Sequence, residues 1–424
     1  MIAALALVVR VVYVVLAVRG YTPSTDDAHY NDIATKVSEG HGFATQFPYL
    51  WTHPTAFRPP LYPLLLGALY SVFGAHIGVA QVLNVLLGIG VVLLIAVFAF
   101  RLAGRTAALV AAGVAIVHPA LLAGDGVILT EPLALLLMLA ALLTLERDRY
   151  VLAGLFTGLL VLTRPSAQLY VPVLALYLLV SAKRRLGWRA GWRPGLKAAV
   201  VFGLVAVVTV LPWVIRNQVE FGKPVLVTSN GFNLAAIWSP LAIESGGFID
   251  PIRDPRNGSV TQFSSQLKNL NEAELDATLR KEGLDGLKSH LDRVPSMLWQ
   301  NLRYLFDVSW RANDNPERLD GRNIGFRHAT LPFVWAVLLV GAVGFVLMRR
   351  RRLGVLALIT VVYMIAVSIV TVSPPRLRAP VDVLVCVAVG MVVAAVLERR
   401  KRPEPVAPVE PSGPVPPLAE VGQS

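Results

Sequence analysis

The sequence has little charge for its length. Of its 424 residues only 16% are charged and 55% are hydrophobic, and the mean hydropathy is +0.60. A soluble domain of this size carries more charge, because its surface must be solvated. The composition therefore excludes an ordinary soluble protein and predicts a chain that crosses a membrane several times.

Acidic residues are scarcer than basic ones, 27 against 39, which leaves a net charge of +12. On a soluble domain such a balance suggests nucleic-acid binding. Here the basic residues lie in short clusters between apolar runs, as they do in the cytoplasmic loops of membrane proteins. We therefore expect no nucleic-acid partner and expect membrane lipids around the chain.

Cysteine, nucleotide-binding motifs and internal repeats are also missing or nearly so. The one cysteine, Cys386, lies in an apolar run and is expected to be a packing residue. The sequence has no G-x-G-x-x-G or P-loop placed after a strand. It also lacks the repeat that is typical of inverted-repeat transporters. No metal-ligand spacing is diagnostic, so a divalent metal ion stays possible and no cofactor is certain.

Apolar runs are frequent enough for about ten transmembrane helices of roughly 17–25 residues each. The run 150–182 is too long for one helix and is divided at Arg164-Pro165, because proline ends a helix and a charge is costly at mid-membrane. The expected spans are 2–18, 77–100, 106–123, 127–145, 150–163, 167–181, 198–215, 329–348, 353–372 and 379–397. The predicted fold class is an all-α polytopic membrane protein.

The basic clusters predict the orientation. With ten spans, those at 101–105, 147–149, 183–197, 349–352 and 399–402 all fall on the cytoplasmic side. We therefore expect a multi-pass plasma-membrane protein with both termini in the cytoplasm and the loop 20–75 outside. Arg10, within the first span, is expected either to snorkel or to be buried against another helix.

Four parts of the chain are expected from this pattern. They are a transmembrane catalytic module at 1–215 that includes the outer loop 20–75, an outer segment at 216–328, C-terminal transmembrane helices at 329–398, and a tail at 399–424. The tail is proline-rich and is predicted to be disordered in the cytoplasm.

The outer loop 20–75 contains a pair of adjacent carboxylates. Ser24-Thr25-Asp26-Asp27 matches a capping box, with Ser24 as the N-cap, and the apolar residues that follow predict a short amphipathic helix on the membrane surface. Asp26 and Asp27 either complement the helix dipole or form a reactive site just beyond a membrane span.

Arg58 follows in a proline-rich stretch, HPTAFRPPLYP at 53–63, whose prolines keep the backbone extended. It is expected to contact either the phosphates of ordinary lipids or the phosphate of a lipid substrate. Further polar residues lie at the outer ends of other spans, where they can converge with this loop.

Several motifs recur in a specific order. They are Asp26-Asp27, FRPPLYP at 57–63, LTEPL at 129–133, LTRP at 162–165, PWVIRNQVEFGKPVLVTSNGFNL at 212–234 and RLRAPVDVL at 376–384. This series resembles the GT-C membrane glycosyltransferases, in the branch of the protein O-mannosyltransferases and aminoarabinose transferases (glycosyltransferase family 39). The resemblance extends over about 1–397 and implies a GT-C fold, with amphipathic helices in the first extracytoplasmic loop.

The resemblance implies a polyprenyl-phosphate-linked sugar as donor and transfer outside the membrane. It assigns the general base to Asp26 or Asp27, and contact with the donor phosphate to Arg58, Arg376 and Arg378. Asp125 and Glu131 are expected to orient sugar hydroxyls or to bind a divalent cation. The residues expected to bind substrate are His29, Tyr30, His53, Tyr62, Asp125, Glu131, Arg164, Arg216 and Asn217.

We therefore hypothesise an inverting hexosyl- or pentosyltransferase that acts on a protein, lipid or glycan acceptor. The large periplasmic domain of the family is not found in the sequence, which leaves the acceptor open. Two alternatives remain, a lipid or solute transporter (a flippase) and a non-catalytic cell-envelope assembly protein. A transporter would need charged residues along its spans, and apart from Arg10 they cluster at the ends.

Overall fold

The structure, a computed structural model, describes residues 1–47, 52–187, 190–246, 248–251, 270–371 and 374–401. Within these ranges the chain is helical apart from loops and two short antiparallel strands, β1 (Ala44–Thr45) and β2 (His53–Pro54). The helices of the first half are α1 (Ile2–Ala17), α2 (Asp26–Ser38), α3 (Leu61–Phe73), α4 (Ile77–Val117), α5 (Pro119–Asp125), α6 (Glu131–Glu146), α7 (Tyr150–Val161), α8 (Tyr170–Leu186) and α9 (Trp192–Phe221).

The second half continues in the same way. Its helices are α10 (Asn230–Trp238), α11 (Pro240–Ser245), α12 (Glu272–Ser289), α13 (Val294–Leu305), α14 (Asp314–Leu319), α15 (Ile324–Met348), α16 (Arg352–Val370) and α17 (Ala379–Lys401). Short 3-10 turns cover Pro165–Leu169, Leu291–Arg293, Trp310–Asn313 and Pro375–Arg378. Most of the predicted disordered tail, 402–424, lies outside the described residues.

The all-α membrane architecture is confirmed. Six helical stretches within the described ranges are long and apolar enough to cross a membrane: Ile77–Val117, Pro165–Arg184, Trp192–Phe221, Ile324–Met348, Arg352–Val370 and Pro375–Arg400. The predicted span 77–100 and most of the predicted span 106–123 lie in α4, on either side of a kink where Gly104 has a φ of +74°. The end of the second span lies in α5. Three other predicted spans correspond to the shorter helices α1, α6 and α7.

The core of the bundle is organised around α17, which packs between α4 and α15. Close approach depends on glycine, because a Cβ at Gly344 would lie 2.1 Å from the Ala388 carbonyl and one at Gly390 would lie 2.5 Å from the Ala107 carbonyl. Cys386 is fully buried on this helix, as expected of a packing residue.

Arg10 is buried against another helix rather than snorkelling to the surface. Its Nε lies 2.7 Å from Oδ2 of Asp125, and neither side chain is more than 2% exposed. Gly88 of α4 leaves the room for this pair, since a Cβ there would lie 2.3 Å from the Asp125 carboxylate. The ion pair therefore joins α1 and α5 across a face of α4.

Breaking this pair is expected to destabilise the bundle. Either Arg10→Met or Asp125→Leu alone leaves an uncompensated buried charge, which costs about 3–5 kcal/mol. The double variant removes both charges and is expected to recover most of the lost stability. Thermal unfolding in detergent measures the effect, and a double variant as unstable as the two singles would contradict it.

Candidate functional site

The two adjacent carboxylates of the first outer loop have different surroundings. Asp27 is fully buried and accepts hydrogen bonds from the Tyr21 hydroxyl at 2.6 Å and from the backbone N–H groups of Ser24 at 3.0 Å, Thr25 at 2.8 Å and Ala28 at 2.9 Å. These bonds fix the start of α2. Asp27 therefore has the structural role that an acidic residue in a first turn can have.

The expected capping box is only half formed. The N-cap is Thr25 rather than Ser24, and no side chain caps the helix from that position. The Ser24 hydroxyl instead donates to the Leu319 carbonyl at 2.8 Å, in the outer segment 216–328. A long-range contact has replaced the local one that the sequence pattern predicts.

Asp26 lies between two arginines. One carboxylate oxygen pairs with Arg58 Nη2, and the other pairs with Arg376 Nη2 at 2.5 Å. The side chain is 29% exposed, so it is the accessible member of the carboxylate pair. Burial raises the pKa of Asp26, but the two guanidinium charges outweigh that effect and hold the pKa well below its usual range.

Arg58 is held by the first two turns of α2. Its Nε donates to Nδ1 of His29 at 3.2 Å, and its guanidinium carbon lies 5.2 Å from the ring centres of both Tyr30 and Phe57. A guanidinium only donates, so Nδ1 of the neutral His29 is the acceptor and Nε2 carries the proton. Burial, followed by the charge of Arg58, lowers the pKa of His29 well below its usual value.

Arg376 also contacts a residue that the sequence analysis missed. Its Nε lies 3.1 Å from Oδ2 of Asp320, which follows α14 in the outer segment. Burial raises the pKa of Asp320 to about 7. No motif marks this residue in the sequence, where it is one acid before a glycine in a polar loop.

Glu131 and Arg164 extend the same polar region. Their side chains pair at 3.4 Å, Glu131 at the start of α6 and Arg164 just before the 3-10 turn Pro165–Leu169. The charge of Glu131 also acts on Arg376 and Tyr30. The structure thus brings together seven of the predicted site residues: Asp26, His29, Tyr30, Arg58, Glu131, Arg164 and Arg376.

Three other predicted site residues have partners inside the bundle. Arg378 is 2% exposed and pairs with Asp307 at 3.1 Å and with Asp382 at 3.0 Å. The Tyr62 hydroxyl, fully buried, donates to Asn84 at 3.2 Å. Asp125 pairs with Arg10 as described above. Their expected roles in substrate binding stay predictions.

Of the three remaining predicted residues, Arg216 and His53 hold the outer loop in place, and Asn217 fixes the chain that follows α9. Arg216 donates to the Thr55 carbonyl at 2.8 Å, and Asn217 donates to the Val225 carbonyl at 2.8 Å. His53 Nε2 lies 3.0 Å from Glu272, the first residue of α12. These contacts join the proline-rich stretch to α9 and to the outer segment.

The residues around Asp26 do not present a ligand set for a metal ion. In the part of the chain that the structure describes, no three His, Cys, Asp or Glu side chains are grouped so that they could hold one. The Asp26 carboxylate itself is paired with two arginines. The possible divalent metal of the sequence analysis therefore has no identified site among these residues.

A family profile described as dolichyl-phosphate-mannose-protein mannosyltransferase matches residues 57–213. Among solved structures, the oligosaccharyltransferase of Archaeoglobus fulgidus aligns with 94% of this chain at a TM-score of 0.54 and 16% identity in its apo form. The same enzyme in complex with an inhibitory peptide and a dolichol-phosphate aligns with a TM-score of 0.53 and 17% sequence identity. This chain has the GT-C fold. The fold that the sequence motifs implied is thereby confirmed.

The extent of these matches is limited. The chain spans about half the length of the archaeal oligosaccharyltransferase structures. A weaker similarity, with a TM-score of 0.42 and 17% identity, covers 93% of this chain and 77% of ArnT from Cupriavidus metallidurans bound to undecaprenyl phosphate. No curated protein matches the sequence.

The different surroundings of the two carboxylates in this GT-C chain lead to a stability prediction. Asp27→Ala removes the acceptor of several buried donors and is expected to lower the free energy of unfolding by about 1–3 kcal/mol. Asp26→Ala removes two partly exposed ion pairs, each expected to contribute about 1 kcal/mol or less, and is expected to cost less than Asp27→Ala. Thermal unfolding of both variants in detergent checks this, and equal losses would contradict the structural role of Asp27.

Proposed function

We propose that this protein transfers a sugar from a polyprenyl-phosphate donor to an acceptor at the extracytoplasmic face of the plasma membrane. The observation that carries the proposal is the accessible carboxylate of Asp26 between Arg58 and Arg376, at the edge of a GT-C bundle. The archaeal relative with a bound dolichol-phosphate and the description of the matching family profile support a lipid-phosphate donor. The positions of the basic clusters support the orientation.

The reaction needs a base for the acceptor hydroxyl and positive charge for the departing phosphate. In the proposed inverting displacement, the acceptor hydroxyl oxygen attacks the anomeric carbon and gives its proton to Asp26. The bond between that carbon and the phosphate oxygen breaks, and its electron pair leaves with the polyprenyl phosphate. Arg58 and Arg376 stabilise the negative charge that develops on the leaving phosphate.

The two arginines link donor binding to the strength of the base. They now hold the pKa of Asp26 low, which makes it a poor proton acceptor. A donor phosphate that accepts hydrogen bonds from the same guanidinium groups releases the carboxylate and lets its pKa rise. Asp26 is therefore proposed to become an effective base only when the donor is in place.

Asp26 is a better candidate for the base than Asp27, because the donors around Asp27 already occupy its carboxylate. Glu131 and Arg164 lie close to the arginine pair and are proposed to orient sugar hydroxyls. The archaeal relative has also been crystallised with zinc and sulfate. No metal-dependent step is derived for this chain, since its described residues offer no matching ligand set.

Removal of the proposed base is expected to abolish most of the activity. Asp26→Asn keeps the size of the side chain but cannot take the acceptor proton, so kcat is expected to fall by about 10²–10⁴. The measurement is lipid-phosphate release from a polyprenyl-phosphate sugar by purified protein. Asp285→Asn, at an exposed carboxylate of α12, is the control. Full activity in Asp26→Asn would exclude Asp26 as the base.

Arg58, on the proline-rich stretch, is expected to act through the planar arrangement of its guanidinium N–H donors as well as through its charge. Arg58→Gln is expected to lower kcat/KM for the donor by about 10²–10³, the loss typical when one charge-stabilising donor is removed. Arg58→Lys keeps the charge without this planar arrangement and is expected to be intermediate. A lysine variant as active as wild type would contradict the contribution of the guanidinium geometry, and one no better than the glutamine variant would contradict the contribution of the charge.

A further inference from the structure

Asp320 is fixed against the first outer loop by its neighbours in the chain. Gly321 has a φ of +76°, and a Cβ there would lie 2.3 Å from the ring of Tyr21. The preceding residue, Leu319, accepts hydrogen bonds from the hydroxyls of Ser24 at 2.8 Å and Thr25 at 3.3 Å. The end of α14 is therefore held at the start of α2, where Asp26 lies.

Two carboxylates share the guanidinium of Arg376. Asp26 lies against Nη2 at 2.5 Å, and Asp320 lies against Nε at 3.1 Å. Arg58 and Arg376 both pair with Asp26, but only Arg376 has this second ion pair among those of the described residues. When Asp26 releases the two arginines, Arg376 still has a fixed anionic partner.

We propose that Asp320 is a positioning residue for sugar transfer, which holds Arg376 by its Nε edge and so keeps Nη2 directed at the donor phosphate after Asp26 has moved away. The inference rests on the proposed function. It assigns to the outer segment 216–328 a part in donor binding, through Arg376. Asp320 acts through Arg376 and is not itself proposed to contact the substrate.

Only the ionised form of Asp320 can hold Arg376 in this way. The charged groups that act on it are Arg376 of the 3-10 turn, Asp26 of α2, and Arg322 and Glu317 beside it. Burial is the largest effect and raises the pKa of Asp320 to about 7. The kcat/KM for the donor is therefore expected to rise with pH through about 7, since Asp320 is protonated below that pH.

The test compares Asp320→Asn with wild type from pH 5.5 to 8.5. The neutral side chain is expected to lower kcat/KM for the donor on the order of tenfold at pH 8 and to have little effect at pH 5.5, so that the rise near pH 7 disappears. The loss is expected in KM for the donor rather than in kcat. Asp320→Glu is expected to restore part of the rise.

Glu317→Gln is the matched control. Glu317 is also a buried carboxylate of this segment and pairs with Arg322 at 3.1 Å. It is expected to keep a rise, at somewhat lower pH, because the charge of Glu317 contributes to the raised pKa of Asp320. A wild-type pH profile in Asp320→Asn, or the same loss of the rise in Glu317→Gln, would overturn the inference. Neither result would affect the proposed function, which Asp26→Asn tests.

A second measurement does not require turnover. The folded-state pKa of Asp320 lies above its usual value of 3.8, so this group stabilises the fold at low pH and loses that contribution as the pH rises through about 7. The melting temperature of Asp320→Asn relative to wild type is therefore expected to increase from pH 5 to pH 8. A melting-temperature difference that is constant with pH would contradict the claim that Asp320 ionises near pH 7 in the folded protein. This measurement needs no donor sugar.

Discussion

An ionised side chain inside a membrane bundle needs an opposite charge beside it, because an isolated charge there is costly. Much of the arrangement described above follows from this constraint. Arg10 pairs with Asp125, Arg378 with Asp307 and Asp382, and Arg327 with Asp307 and Asp314. Apart from Arg378 and Asp382, which are four residues apart, each pair joins elements that are separated by loops or by other helices. The charges therefore hold separate elements together as well as satisfying one another.

The cluster around Asp26 satisfies the same constraint in a different way. Here one carboxylate neutralises parts of two guanidinium groups, and it is partly exposed rather than enclosed. Two guanidinium groups that meet at one partly exposed carboxylate present several N–H donors at the same place, which suits an anionic phosphate. Arg58 is packed against Tyr30 and His29, so its direction is set in advance. Such preorganised charge is the kind that stabilises a leaving phosphate most effectively.

The sequence was sufficient to predict the helical bundle, because long apolar runs and basic clusters are local signals. The resemblance carried by the motifs also predicted that Asp26, Arg58 and Arg376 come together, and their side chains are paired in the structure, while their roles stay predictions. The sequence alone could not assign different roles to neighbouring residues of the same type. Asp26 and Asp27 differ by about 100° around a helix, and that rotation directs one to the arginines and the other to backbone N–H groups.

Arg376 and Arg378 show the same limit in a tighter turn. In a 3-10 helix, two residues that are two positions apart point to different sides, since each residue turns by about 120°. Arg376 therefore faces Asp26 and Asp320, whereas Arg378 faces Asp307 and Asp382. Which arginine faces which carboxylate depends on tertiary packing, and no pattern within the motif RLRAPVDVL contains that information. Asp320 could not be found for the same reason, because its partner is more than 50 residues away.

The outer segment 216–328 links these observations. Glu272 accepts from the backbone N–H of Ala56 at 2.9 Å, two residues before Arg58, and from the Thr228 hydroxyl at 2.8 Å. Asp320, near the other end of the segment, pairs with Arg376. One segment thus supports both arginines, at two separate points and through two different carboxylates. The distance between the two guanidinium groups, and with it the shape of the proposed phosphate site, consequently depends on how this segment packs on the first loop.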